Sequence, residues 1–139
     1  MEKNNMKYEE SKFMNFIKNK LSVYLLFIII VCLFAFIYAL LIYYNKLSSS
    51  AKSFNTITFI IGIVLFIILG LISGIKAKKN GLLEGLTAAL IIILIALLTN
   101  LIIKQPFASK NLVKIATYLT SSGVGGIIGV NIHSKHSAD

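Results

Sequence analysis

Four long apolar runs dominate this chain: Leu21 to Tyr44, Phe54 to Ile75, Leu82 to Ile103 and, less uniformly, Leu112 to Ile132. A helix rises ~1.5 Å per residue, so about 20 residues cross the roughly 30 Å hydrocarbon layer of a bilayer. The first three runs carry no charge in their middles. The fourth holds Lys114, Thr117, Tyr118, Thr120, Ser121, Ser122 and several glycines, a composition that suits a span shielded by its neighbours. With 57% hydrophobic residues in a chain of 139, one soluble core could not hide the apolar surface. Backbone groups find no water in hydrocarbon, so segments of this length are expected as helices. The expectation is an all-α fold, an integral membrane four-helix bundle built from two antiparallel helical hairpins. A basic segment over 1–20 precedes a four-span domain over 21–132, with spans at 21–44, 54–75, 82–103 and 112–132 and a polar tail over 133–139.

The net charge of +9 comes from lysines alone, and they lie in the tails, the loops and the span ends. That distribution excludes a nucleic-acid footprint and fits membrane topology. Taking alternate compartments, nine lysines fall on the side of the N-terminus and five on the other. The positive-inside rule then places both termini in the cytoplasm of a multi-pass protein of the cell (plasma) membrane, with Lys104 and Lys114 free to snorkel from helix ends. At about 24 residues the first run is longer than the roughly 7 to 15 of a signal-peptide core, and more spans follow, so it is read as retained. Cys32, the single cysteine, is read as a buried packing group. In segment 1–20, Met6, Phe13, Phe16 and Ile17 recur near helical spacing. Two forms remain open for it: an amphipathic helix drawn to anionic lipid headgroups at the cytoplasmic face, or a partly disordered solvated tail. Pro106 with Phe107 reads as an interfacial turn.

The stretch "SGIKAKKNGLLEG", Ser73 to Gly85, joins the second and third runs. If the turn centres between Ala77 and Lys78, then Gly74 lies level with Gly81, Gly70 with Gly85 and Phe66 with Ala89. Gly70 and Gly74 share one helix face; Gly81, Gly85 and Ala89 repeat the four-residue spacing on the next. Two stripes of small residues are thus expected to meet, glycine against glycine, letting the backbones approach. Asn80 and Gly81 supply turn chemistry, and Glu84 falls in a first helical turn, where the helix dipole favours a carboxylate. On this reading Gly74→Leu or Gly81→Leu damages the hairpin far more than Gly62→Leu.

The glycine-rich end of the second run, the basic turn, "NGLLEGLTAAL" opening the third and "GGIIGVNI" from Gly125 to Ile132 together form a pattern. It resembles the YrzE-like family of small four-span membrane proteins of Gram-positive bacteria. There a motif of roughly the form A-G-x-x-A-x-x-x-G-W-x-x-G joins spans two and three, and a glycine-rich helix often ends the chain. This sequence has Lys76 and neighbouring lysines where arginine is common, and Leu82 where tryptophan is common. The resemblance implies an architecture and no established activity.

Few residues are equipped for chemistry. Glu84 is the acidic residue nearest a span, and with Ser121 and Ser122 it forms the candidate ion or proton site. A cap or an ion pair with Lys78 or Lys79 is the plainer account of Glu84. The stripe of Tyr118, Ser121, Ser122, Gly125 and Gly129 either packs helices or lines a water-filled path, and packing is the favoured use. His133, His136 and Asp139 recur at spacings of three, but a short polar terminus of this kind ordinarily binds no metal. Paired carboxylates, a nucleophile with its base, a phosphate-cradling loop and a metal tetrad are all missing from the sequence. No enzyme, cofactor, catalytic residue or metal is therefore expected. The helix-packing residues are Gly70, Gly74, Gly81, Gly85, Ala89, Gly125 and Gly129. Two functions stay in view: a non-enzymatic accessory or assembly component of the cell envelope with a membrane-protein partner, or a small channel or transporter acting as a homo-oligomer.

Overall fold

The structure, a computed structural model, describes residues 2–44, 50–77, 79–103 and 109–136, with side chains over 8–44, 50–77, 79–103 and 110–132. Lys46, Lys78, Lys104, Pro106, Phe107 and Asp139 lie outside the described residues, as do the side chains of Met6, His133 and His136. Four α-helices follow in order: α1 (Glu2–Tyr43), α2 (Ala51–Ala77), α3 (Gly81–Ile103) and α4 (Ser109–His136). Each is long and apolar enough to cross a membrane.

α1 runs for 42 residues without a break, about 63 Å at ~1.5 Å per residue. The sequence explains why: no glycine or proline occurs before residue 45, so nothing interrupts the hydrogen-bond ladder where the polar segment meets the apolar run. From Glu2 the helix runs through segment 1–20 and on into the first apolar run. α2 begins at Ser50, whose hydroxyl accepts the Ser53 N–H at 3.4 Å and whose carbonyl accepts the Phe54 N–H at 2.9 Å. This is an N-cap that satisfies one of the orphan donors of the first turn. Between α2 and α3, Asn80 rather than Gly81 takes the left-handed backbone, with φ of 51°. Asparagine tolerates that region better than most side chains, and the Asn80 carbonyl then accepts the Glu84 N–H at 3.1 Å to start α3.

α2 and α4 share the largest interface, followed by α3 with α4 and α2 with α3, while α1 packs on α2. Along α1 and α2 the contacts run in opposite senses: Ser22 meets Lys76, Phe27 meets Phe66 edge-on with ring centroids 6.2 Å apart, and Tyr38 meets Phe54 at 5.8 Å. Along α2 and α4 they run in the same sense. The buried apolar core is small: Val23 and Phe27 of α1, Leu65, Phe66 and Leu69 of α2, and Ala88, Ala89 and Ile93 of α3. Most large apolar side chains point outward, Leu101 at 75% and Ile102 at 81% exposure among them. A surface of that kind is stable in hydrocarbon and not in water. Cys32 is on it as well, exposed on α1 and not buried.

Candidate functional site

The glycines lock three helices together. At Gly70, Gly74, Gly81, Gly85, Gly125, Gly126 and Gly129, a Cβ added to the backbone would collide first with a carbonyl oxygen of a neighbouring helix. On α2, Gly70 lies against the Ser122 carbonyl and Gly74 against that of Gly126; on α3, Gly85 lies against Ser122 and Gly81 against Gly126. Beside these on α4, Gly125 lies against the Ile67 carbonyl and Gly129 against that of Leu71. At each glycine the hydrogen standing in the Cβ position therefore points at an oxygen, the geometry of a weak Cα–H···O bond worth roughly 0.5–1 kcal/mol. Repetition at seven glycines makes these contacts a principal adhesive of the fold.

The glycines of α2 and α3 thus lie at matching depths, as the numbering of the hairpin requires, but they do not close on each other. α4 is wedged between them. Both helices use one pair of α4 carbonyls, Ser122 and Gly126, as their common partner. Ser122 is fully buried, and its hydroxyl donates to the Gly85 carbonyl at 2.8 Å. Ser121 turns inward to its own helix, donating to the Thr117 carbonyl at 2.7 Å. Ala89 is fully buried in the core. Tyr118 stacks flat on Phe66 at 4.8 Å and closes over Gly62, where an added Cβ would come within 2.6 Å of the tyrosine hydroxyl. Gly62 is accordingly no neutral reference position. Gly123, whose nearest neighbour would be a Leu82 methyl at 3.4 Å, has the room that Gly62 lacks.

Glu84 is set at the start of α3 beside α1. Its carboxylate pairs with Lys20 at 3.2 Å, both side chains a little over one quarter exposed. Lys79, the other turn lysine described, is exposed and makes no ion pair among the described residues. Close by, Ser73 donates to the Glu84 carbonyl at 3.2 Å and the Lys76 ammonium donates to the Ser22 hydroxyl at 2.6 Å. Phe16, Asn19, Lys20, Ser73, Lys76 and Glu84 surround a partly open cavity of about 230 Å³. Tyr24 presents its hydroxyl nearby, buried and without a hydrogen-bond partner among the described residues. Glu84 and the serine pair of α4 are therefore in two different surroundings. The first is a partly open charged cleft between α1, α2 and α3; the second is the buried seam of α4.

Sequence reasoning passed over Gly126, although Ser122 and Gly126 are themselves four apart and are the pair that faces Gly70 and Gly74. It also passed over Lys20, Ser22 and Ser73, because contacts between α1 and the hairpin depend on how the helices are set and not on local spacing. No group of three or more metal-ligating side chains occurs among the described residues.

A family described as a protein of unknown function, DUF3792, matches residues 17–129. The chain belongs to the DUF3792 family. The matched span runs from the last turn before the first apolar run to Gly129, so it includes the Lys20–Glu84 cleft and the α4 seam. The match carries the DUF3792 family and not the narrower YrzE-like name. Nothing matches among curated proteins or among solved structures.

Proposed function

We propose that this DUF3792 protein crosses the cell (plasma) membrane four times, with both termini in the cytoplasm, and acts as a non-enzymatic accessory or assembly component of the cell envelope. The buried Ser122, bonded to Gly85 and covered by Gly70, is the observation that carries this reading. A polar stripe on α4 was the one feature suited to lining a path for solutes. Its central hydroxyl is consumed in holding α3, and its small residues are consumed in backbone contacts. Glu84 is likewise occupied by Lys20. What the bundle offers to its surroundings is a broad apolar surface and a basic cytoplasmic end, which are the means of holding another membrane component. The residue pairs of α1 with α2, and of α3 with α4, support an arrangement of two antiparallel hairpins. The likeness to YrzE-like proteins belongs to the same proposal.

Mild crosslinking of a tagged chain in native membranes, followed by quantitative affinity purification, tests this. The expected result is a membrane protein recovered in stoichiometric amount with the chain. Recovery of the chain alone as a defined oligomer, with solute flux in liposomes that Glu84→Gln abolishes, contradicts it and favours the channel or transporter.

A further inference from the structure

The acidic residues of the described chain gather at one end. Among the described residues, Glu2, Glu9 and Glu10 lie in the early turns of α1 and Glu84 opens α3. At the opposite end, where α2 and α4 begin and α3 finishes, the sequence has lysines and no carboxylate. Lys52 and Lys110 stand in the first turns of α2 and α4; among the described lysines of this end, Lys114 is the one more than a turn inside its helix. It is half-buried and makes no ion pair among the described residues. Near a helix end its ammonium can reach the interface, and this end of the chain holds no carboxylate to meet it there.

Lys114 borders an open groove of about 500 Å³ between α3 and α4. Phe66 and Tyr118 form part of its lining with Ile93 and Leu97, and Asn100 and Lys114 add polar groups to it. Its size falls within the roughly 300–1,000 Å³ usual for ligand sites. The sequence accounts for the opening. Near Gly85 and Ser122 the two backbones touch, whereas here Ile92, Ile93 and Ile115 replace glycine and the helices cannot close in the same way.

We propose that this groove holds an acyl chain of one anionic phospholipid, with the phosphate drawn to Lys114 and the amide of Asn100. The proposal rests on the membrane reading above and concerns the end of the bundle away from the N-terminus. An unfilled groove forfeits dispersion contacts along its lining, and a hydrocarbon chain restores them. A phosphate provides the missing negative charge, and its oxygens accept from ammonium and amide donors. Charge complementarity therefore selects an anionic lipid over a zwitterionic one.

Native mass spectrometry of the full chain, released from mild detergent with equal amounts of phosphatidylglycerol and phosphatidylcholine, reads the site directly. The wild type is expected to retain one phosphatidylglycerol in preference to phosphatidylcholine, by on the order of fivefold for one lysine. Lys114→Gln removes the preference, while Lys52→Gln, at the same end but outside the groove, leaves it. Ala96 also lines the groove, and Ala96→Phe, which fills it, lowers occupancy by both lipids. Equal retention of the two lipids by the wild type overturns the site, as does a preference that survives Lys114→Gln or a dimer that excludes lipid. Carbonate extraction of the source membranes separates this failure from a wider one: a chain that stays in the pellet but shows no preference loses only the lipid site, and a chain that is released loses the membrane reading itself.

Discussion

Ser122 and Gly126 bear more of the fold than their size implies. Each offers a carbonyl to two helices at once, so a side chain added at Gly126 meets backbone on α3 and has nothing flexible to displace. Gly126→Leu is expected to destabilise the protein by about 3 kcal/mol or more, the upper range for overpacking. Gly123→Ala, facing only leucine methyls, should change stability by less than about 1 kcal/mol. Thermal unfolding in detergent checks both, and equal losses would remove the wedge of α4 from the account. The Tyr24 hydroxyl gives a prediction of opposite sign. Buried without a partner among the described residues, it forfeits its solvation, so Tyr24→Phe is expected to be neutral or to stabilise by up to about 1–3 kcal/mol. A clear loss of stability would mean that the hydroxyl has a partner.

Among the elements, α1 stands apart because it joins the others through few apolar contacts and a polar cleft. Val23 and Phe27 are its buried apolar residues, while Lys20 reaches across to Glu84 on α3. Both partners of that pair are partly exposed, so screening limits its worth. A double-mutant cycle with Lys20→Met and Glu84→Gln should yield a coupling of about 0.2–1 kcal/mol. A coupling above about 3 kcal/mol would mark a buried, obligatory pair and a different setting for α1. The length of α1 was legible in retrospect from the want of glycine and proline, yet hydropathy draws the eye to residue 21, where composition changes and backbone conformation does not. Its exposed Cys32 was illegible for a related reason: an all-apolar run has no face of its own, and packing decides which side is covered.

At the scale of the molecule, the four helices were legible because length and apolar content alone determine them. The depth of Gly70 with Gly85, and of Gly74 with Gly81, was legible from the turn between them. Their common partner was not, since the spacing of small residues says that a helix will be close and not which helix. In α4 two interleaved small pairs have different partners, Ser122 with Gly126 shared by α2 and α3 and Gly125 with Gly129 set against α2, and only the assembled bundle shows this. The same reasoning fixes what topology must be if the bundle crosses a bilayer. α1 and α3 start at one end, as the Lys20–Glu84 contact requires, and α2 and α4 start at the other.

Single cysteines placed at Glu9, Lys79, Ser50 and Lys110 in a Cys32→Ser background, treated in intact cells with a membrane-impermeant maleimide, test the four-span arrangement most directly. The predicted result is labelling at positions 50 and 110, with positions 9 and 79 labelled only after the membrane is opened. Labelling of position 79 together with 50 in intact cells, or of position 9 before permeabilisation, would contradict it.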